Sequence, residues 1–161
     1  MADTALDTPT DLKDNQTKTV AQALNGILAD SYALYFKTKN FHWHVSGPHF
    51  RDYHLMLDEQ AAQILATTDD IAERVRKTGN TTLRSIGDVA RHQSIKDNDA
   101  DFVKPEDMLA ELREDNLSLV ASLRKAKDIV DEAKDNATSG IVDDWADQCE
   151  ERIWFLNQTS K

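Results

Sequence analysis

Basic residues are in short supply: Lys and Arg number 19 against 29 Asp and Glu, a formal net charge of -10. Gripping a phosphate backbone depends mainly on lysine and arginine displacing counterions, so a general nucleic-acid surface is not expected. An acidic shell attracts cations instead. Cysteine occurs once, as Cys149, which excludes an internal disulfide. No early run joins basic residues to a long apolar stretch, as a signal peptide or membrane span would, so a cytoplasmic protein with no membrane partner is expected. Glycine (5) and proline (3) are scarce, which disfavours many short strands joined by turns.

What the chain does have is 161 residues, 30% of them charged, with an ordinary hydrophobic share. That length suits one domain able to bury a core unaided, and the composition suits long amphipathic helices, so the fold class expected is all-α. Residues 1–16 are polar, with Leu6 and Leu12 the only large aliphatics after Met1, and read as a mobile N-terminal tail. From Thr17 to Val45 the apolar residues Val20, Leu24, Ile27, Leu28, Leu34, Tyr35 and Phe41 recur at helical spacing. Ser46-Gly47-Pro48 ends this first helix. A second runs to about Thr78 on the stripe Leu57, Ala61, Ile64, Thr68, Ile71 and Val75, and Gly79-Asn80 stops it. Residues 81–104 form a long crossover, needed where two successive bundle helices run parallel, with a short helix expected from Ser85 to about Gln93. After Pro105, Leu109, Leu112, Leu119, Leu123 and Val130 mark a third bundle helix, and Ile141, Trp145, Cys149, Ile153 and Leu156 mark a fourth. Residues 17–161 are thus one four-helix domain.

The second helix carries two one-turn pairs, His54 with Asp58 and Asp69 with Glu73. At about 100° per residue the step from Asp58 to Asp69 is about three full turns plus 20°, which puts both pairs on nearly one side. The rise between them is roughly 17 Å, far beyond ligands that must lie about 2 Å from one ion. One helix cannot close the site. Two copies paired antiparallel about a two-fold axis near Gln63 and Ile64 would set His54 and Asp58 of one chain beside Asp69 and Glu73 of the other. Ala62, Leu65 and Ala66, small or apolar, lie between the pairs and permit such a contact. Spacing therefore suggests a dimer with two symmetric intersubunit sites. The Ser46-Gly47-Pro48 turn brings a further imidazole, His42, round to His54. A His and carboxylate set with open positions suits iron(II) or zinc and suits magnesium poorly.

The run Lys39-Asn40-Phe41-His42-Trp43-His44-Val45-Ser46-Gly47-Pro48-His49-Phe50, continuing through His54 to Leu57-Asp58, resembles the signature of the Dps (DNA-protection-during-starvation) mini-ferritins. Asp69-Asp70-Ile71-Ala72-Glu73-Arg74 matches its second half, and the crossover, helix lengths and Trp154-Phe155 extend the likeness over nearly the whole chain. The resemblance implies a ferritin-like four-helix bundle assembled from dimers into a hollow dodecamer. There iron(II) is oxidised at dimer interfaces, preferably by hydrogen peroxide, and stored as a ferric mineral. It implies that His42, His54 and Asp58 come from one subunit and Asp69 and Glu73 from its mate, with Lys39 at the interface and Trp43 beside the iron. It also implies a cytoplasmic ferroxidase, associated with the nucleoid where DNA is bound. The Glu-x-x-His motif of larger ferritins does not occur.

The likeness is incomplete in two places. Lysine-rich tails serve the DNA-binding relatives, but Lys13 and Lys18 here face Asp3, Asp7, Asp11 and Asp14, which argues against direct DNA binding. His44 follows Trp43 where asparagine is common, and His49 is close, so further metal contacts stay open. The plainer alternatives are a solvated face pairing its acids with Arg51, Arg74 or Arg76, a hydrogen-bonded core role for His42, and a core role for Trp43. Cys149, on the apolar stripe, is expected to be inert. Asp143, Asp144 and Asp147 either favour a helix dipole or line an iron-entry pore. Against the ferroxidase reading stands another class, a DNA-compacting nucleoid protein with the bundle as scaffold.

Overall fold

The computed structural model describes residues 4–161. Among them are five α-helices, a single 3-10 turn at Thr4–Leu6, and no strand. The helices are α1 (Asp14–His44), α2 (Phe50–Lys77), α3 (Ile86–His92), α4 (Pro105–Glu132) and α5 (Asn136–Thr159). Four long helices make the bundle and α3 is the short helix of the crossover, as the periodicity predicts.

Leu24, Leu28, Leu34 and Phe41 of α1 meet Leu57, Ile64 and Ile71 of α2, Leu112 and Leu123 of α4 and Leu156 of α5 in one core, each of them fully buried. α1 packs most extensively on α2 and α4 on α5, while α2 and α5 touch least. Burying such side chains stabilises by about 1.5–3 kcal/mol each, and this far outweighs the weak intrinsic preference of any single helix.

The ends of the helices follow local chemistry. Ser85 caps α3 by accepting the Asp88 amide at 3.1 Å, and Pro105 occupies the first turn of α4, where its missing N–H costs nothing. Asp135 caps α5 through the Thr138 amide at 3.1 Å, and Arg74 of α2 donates to the same carboxylate at 3.1 Å. Gly79, at φ +86°, ends α2 in the left-handed region, and a Cβ there would come within 3.1 Å of the Thr8 carbonyl.

Two expectations change in detail. α1 starts at Asp14, ahead of Thr17, because the Lys13 carbonyl takes the amides of Gln16 and Thr17 at 3.0 Å, and an acidic first residue suits a helix N-terminus. The last residues of the expected tail are therefore helical, and the Leu6 carbonyl accepts from Arg76 at 2.7 Å; residues 1–3 of that tail lie outside the described residues. Asp143, Asp144 and Asp147 lie beyond the first turn of α5, which starts at Asn136, so a helix dipole does not account for them. Asp143 pairs with Lys127 at 2.8 Å instead.

The crossover is pinned to α1. Buried Asp30 accepts from the Ser94 amide and hydroxyl at 2.6 Å and from the Ile95 amide at 3.0 Å. Lys37, also buried, donates to the Lys96 carbonyl at 2.8 Å and meets Asp115 at 2.7 Å and Glu111 at 3.2 Å. Burial pushes the Asp115 carboxyl up, against the pull of Lys37. A second polar assembly lies within the bundle. There the Arg152 guanidinium, 3% exposed, donates to Asn116 of α4 and Gln63 of α2, both at 2.7 Å, and to the Cys149 sulfur at 2.9 Å.

Candidate metal centre

α1 ends and α2 begins at one end of the bundle because Gly47, at φ +109°, lets the chain reverse where other residues are strained. The reversal brings His42 and His54 face to face, ring centroids 3.8 Å apart and planes 14° from parallel. Their hydrogen bonds are reciprocal. His54 Nδ1–H donates to the His42 carbonyl at 2.8 Å, and His42 Nδ1–H donates to the His54 carbonyl at 2.7 Å. A carbonyl oxygen can only accept, so each ring carries a proton on Nδ1, and the neutral form of each has its lone pair on Nε2. The same pattern fixes ring orientation in metal-binding histidines generally. For His54 the partner carbonyl belongs to the last turn of α1, where helical carbonyls lack an internal donor.

Asp58 lies one turn beyond His54. Its Oδ1 is 3.8 Å from His42 Nε2 and accepts a hydrogen bond from Lys39 at 2.7 Å. That bond and the nearby ammonium hold the Asp58 carboxyl below the usual carboxylate range, with His42 and His54 adding weaker pulls. The Lys39 Nζ also stands 5.9 Å from the centre of the Trp43 ring, which meets Phe36 edge-on at 6.0 Å. Trp43 is 54% exposed, so the core role considered for it does not hold in this chain. His42 does have a hydrogen-bonded, buried setting, but its Nε2 faces Asp58.

Asp69 and Glu73 are exposed farther along α2, on the side shared by exposed Asp58, Ala62, Leu65 and Ala66. Lys77 reaches Glu73 at 3.2 Å. Two of the three arginines proposed as partners in the solvated-face alternative are engaged elsewhere. Arg74 holds Asp135 and Thr138, and Arg76 holds the carbonyls of Leu6 and Asn80. Among the described residues, no three His, Cys, Asp or Glu side chains of one chain come together to hold a metal. His42 stacks on His54 and lies 3.8 Å from Asp58 near the start of α2, pairwise contacts only, while Asp69 is about 17 Å beyond Asp58 by helical rise.

His44 bonds back to the Asn40 carbonyl at 2.8 Å, His49 leans on Tyr53 at 5.7 Å, and exposed His92 bonds to the Asp88 carbonyl; none of them joins the His42–His54 pair. Sequence reasoning passed over one neighbour, Phe50, whose ring lies 5.0 Å from that of His54. Its four-residue spacing from His54 was the available signal.

Comparison with known proteins matches residues 21–161 to the ferritin-like domain family. A DNA protection during starvation protein of Agrobacterium fabrum is 36% identical over 149 residues, covering 92% of each chain. One from Brevibacillus brevis is 32% identical over 90% of this chain and 97% of its own. Among solved structures, a Dps protein from Bacillus brevis superposes with a TM-score of 0.88 at 30% identity, over 93% of this chain and all of that one. DpsC from Streptomyces coelicolor gives 0.91 at 25% identity, over 94% and 89%.

Proposed function

Because the chain belongs to the ferritin-like family and, within it, to the Dps proteins, we propose that it oxidises iron(II), preferably with hydrogen peroxide, and stores the ferric product inside a hollow homo-oligomer. Iron is the substrate. His42, His54 and Asp58 of one chain bind it together with Asp69 and Glu73 of a two-fold mate, and Trp43 beside the site takes up stray oxidising equivalents.

The observation that carries this reading is the division of the donors. Two imidazoles are locked with Nε2 available beside an ionised carboxylate, and two further carboxylates lie on the same exposed face of α2, out of reach within one chain. Mixed imidazole and carboxylate donors with open positions suit iron(II). An antiparallel contact of α2 with a second α2, over Ala62, Leu65 and Ala66, supplies the missing half twice, as two-fold symmetry requires. Larger assembly of such dimers, to a dodecamer, completes the container.

At the site each peroxide takes one electron from each of two iron(II) ions, takes up two protons and leaves as two waters, and hydrolysis of the two ferric ions then releases protons to solvent. The benefit is joint removal of iron(II) and peroxide in the cytoplasm, before they generate hydroxyl radical. DNA is then protected chemically, with no need to be gripped. Stopped-flow oxidation of iron(II) by the assembled protein tests the proposal. Faster oxidation with peroxide than with dioxygen, and retention of iron(III) in solution, are expected. Equal rates with both oxidants would remove the peroxide preference, and no oxidation above buffer would remove the function.

A further inference from the structure

Phe50 opens α2 one turn before His54, and the two rings lie 5.0 Å apart with planes at 28°. His54 in turn stacks on His42. Three rings from the end of α1 and the start of α2 thus form one pile, with Phe50 as its outer layer. The turn delivers Phe50 there, since its amide donates to the Gly47 carbonyl at 3.1 Å and four-residue spacing sets ring 50 beside ring 54.

The His54 imidazole is held at Nδ1 by one hydrogen bond, and the terminal torsion of a histidine is broad, so a ring bonded at one atom can still pivot. His42 blocks that pivot on one face. Phe50, its ring 5.0 Å from that of His54, blocks it on the other. We infer that Phe50 is a positioning residue, which clamps His54, and through it His42, as the Nδ1–H tautomer with both Nε2 atoms left for metal. The inference rests on the reading of His42 and His54 as ligands. Phe50 touches neither metal nor oxidant in this role.

The test uses the assembled full chain, labelled with 15N at histidine and free of metal, and reads the imidazole nitrogens by magic-angle-spinning spectroscopy. Cobalt(II) alone is then titrated optically. Phe50 is 44% exposed, so its replacement is expected to leave the fold intact, which circular dichroism checks. In the parent protein the assigned signals of His42 and His54 should show a fixed Nδ1–H and a bare Nε2, read apart from those of exposed His44 and His92, whose Nδ1 atoms also bond backbone carbonyls. Phe50→Ala should split or broaden the His54 signals between tautomers and weaken cobalt binding about tenfold, the usual effect of losing a group that orients a ligand. Phe50→Leu, apolar but without a flat ring, should lose as much, and Phe50→Tyr should recover both readings. Unchanged spectra and affinity in Phe50→Ala or Phe50→Leu would overturn the inference. So would a Phe50→Ala chain that fails to assemble while its tautomers stay fixed, since the ring would then serve a contact between copies. If the parent protein binds no cobalt, the ligand reading fails and the inference falls with it, whereas binding that ignores Phe50 sinks the inference alone.

Discussion

Two polar assemblies of this chain invite comparison. One surrounds Arg152 inside the bundle, the other joins α1 to α2 around His42 and His54. In the interior, Asn116, Gln63 and the Cys149 sulfur each receive a guanidinium hydrogen, so the donors and acceptors there are turned on one another. At the helix junction the hydrogen bonds stop halfway. Each imidazole uses Nδ1 in a hydrogen bond, and exposed Asp58 meets Lys39 and His42, with His54 close enough to add a weaker pull. A closed network specifies how helices pack, because a buried polar group left unmade costs about 1–3 kcal/mol. An open one, held rigid yet unsatisfied, is where outside chemistry enters.

The sharpest way to break the comparison is to damage the open assembly alone. Asp69→Ala/Glu73→Ala should abolish fast iron(II) oxidation, while circular dichroism stays that of the parent, because both side chains are exposed. A doubly substituted protein that oxidises at the parent rate would take these residues out of the site.

Next in size is a complementation experiment. A His54→Ala/Asp58→Ala chain and an Asp69→Ala/Glu73→Ala chain should each be inactive alone. In a dimer of one with the other, both lesions fall in one interface site and the second site is whole, so about half of the sites in verified mixed dimers should work, by two-fold symmetry. Mixed dimers as silent as their parents would send the ligands back to a single chain.

Damage to the closed assembly should read differently. Arg152→Ala leaves the Asn116 oxygen, in a residue 1% exposed, without its donor, and should cost about 3 kcal/mol of stability with a matching fall in Tm. Oxidation per folded site should not change. A Tm equal to the parent's would show that the network contributes nothing to stability.

The smallest effect concerns Cys149. Burial pushes its thiol up, more than the neighbouring Arg152 pulls it down, so the thiolate is scarce at neutral pH. Native protein should resist a thiol-specific reagent that labels it at once in denaturant. Rapid labelling of the native chain would contradict the closed character of that region.

Much of the fold was legible because its signals are local. Gly47, Gly79 and Pro105 punctuate the helices where the sequence pattern places the breaks, and Ser85 starts the short crossover helix. The two carboxylate pairs on α2 were equally legible, since their spacing is a property of one helix. The Arg152 network was not. Its members come from residues 63, 116, 149 and 152, and apart from the three-residue step between Cys149 and Arg152 on α5 nothing in their separation signals that they meet. The reciprocal hydrogen bonds of His42 and His54 were hidden for another reason: each accepts on a backbone oxygen, which every residue has. Asp135 escaped notice because one acid among many in an acidic chain does not announce a helix cap.

The unbroken run of α2 from Phe50 to Lys77 has a metrical consequence. The helix is a ruler with graduations at Asp58 and Asp69, and its two scales, length and angle, cannot be altered separately. Deleting one residue between those marks shortens the interval by only about 1.5 Å but swings everything beyond it through about 100°. Asp69 and Glu73 would then leave the face they share with Asp58, although every side chain needed would still be present.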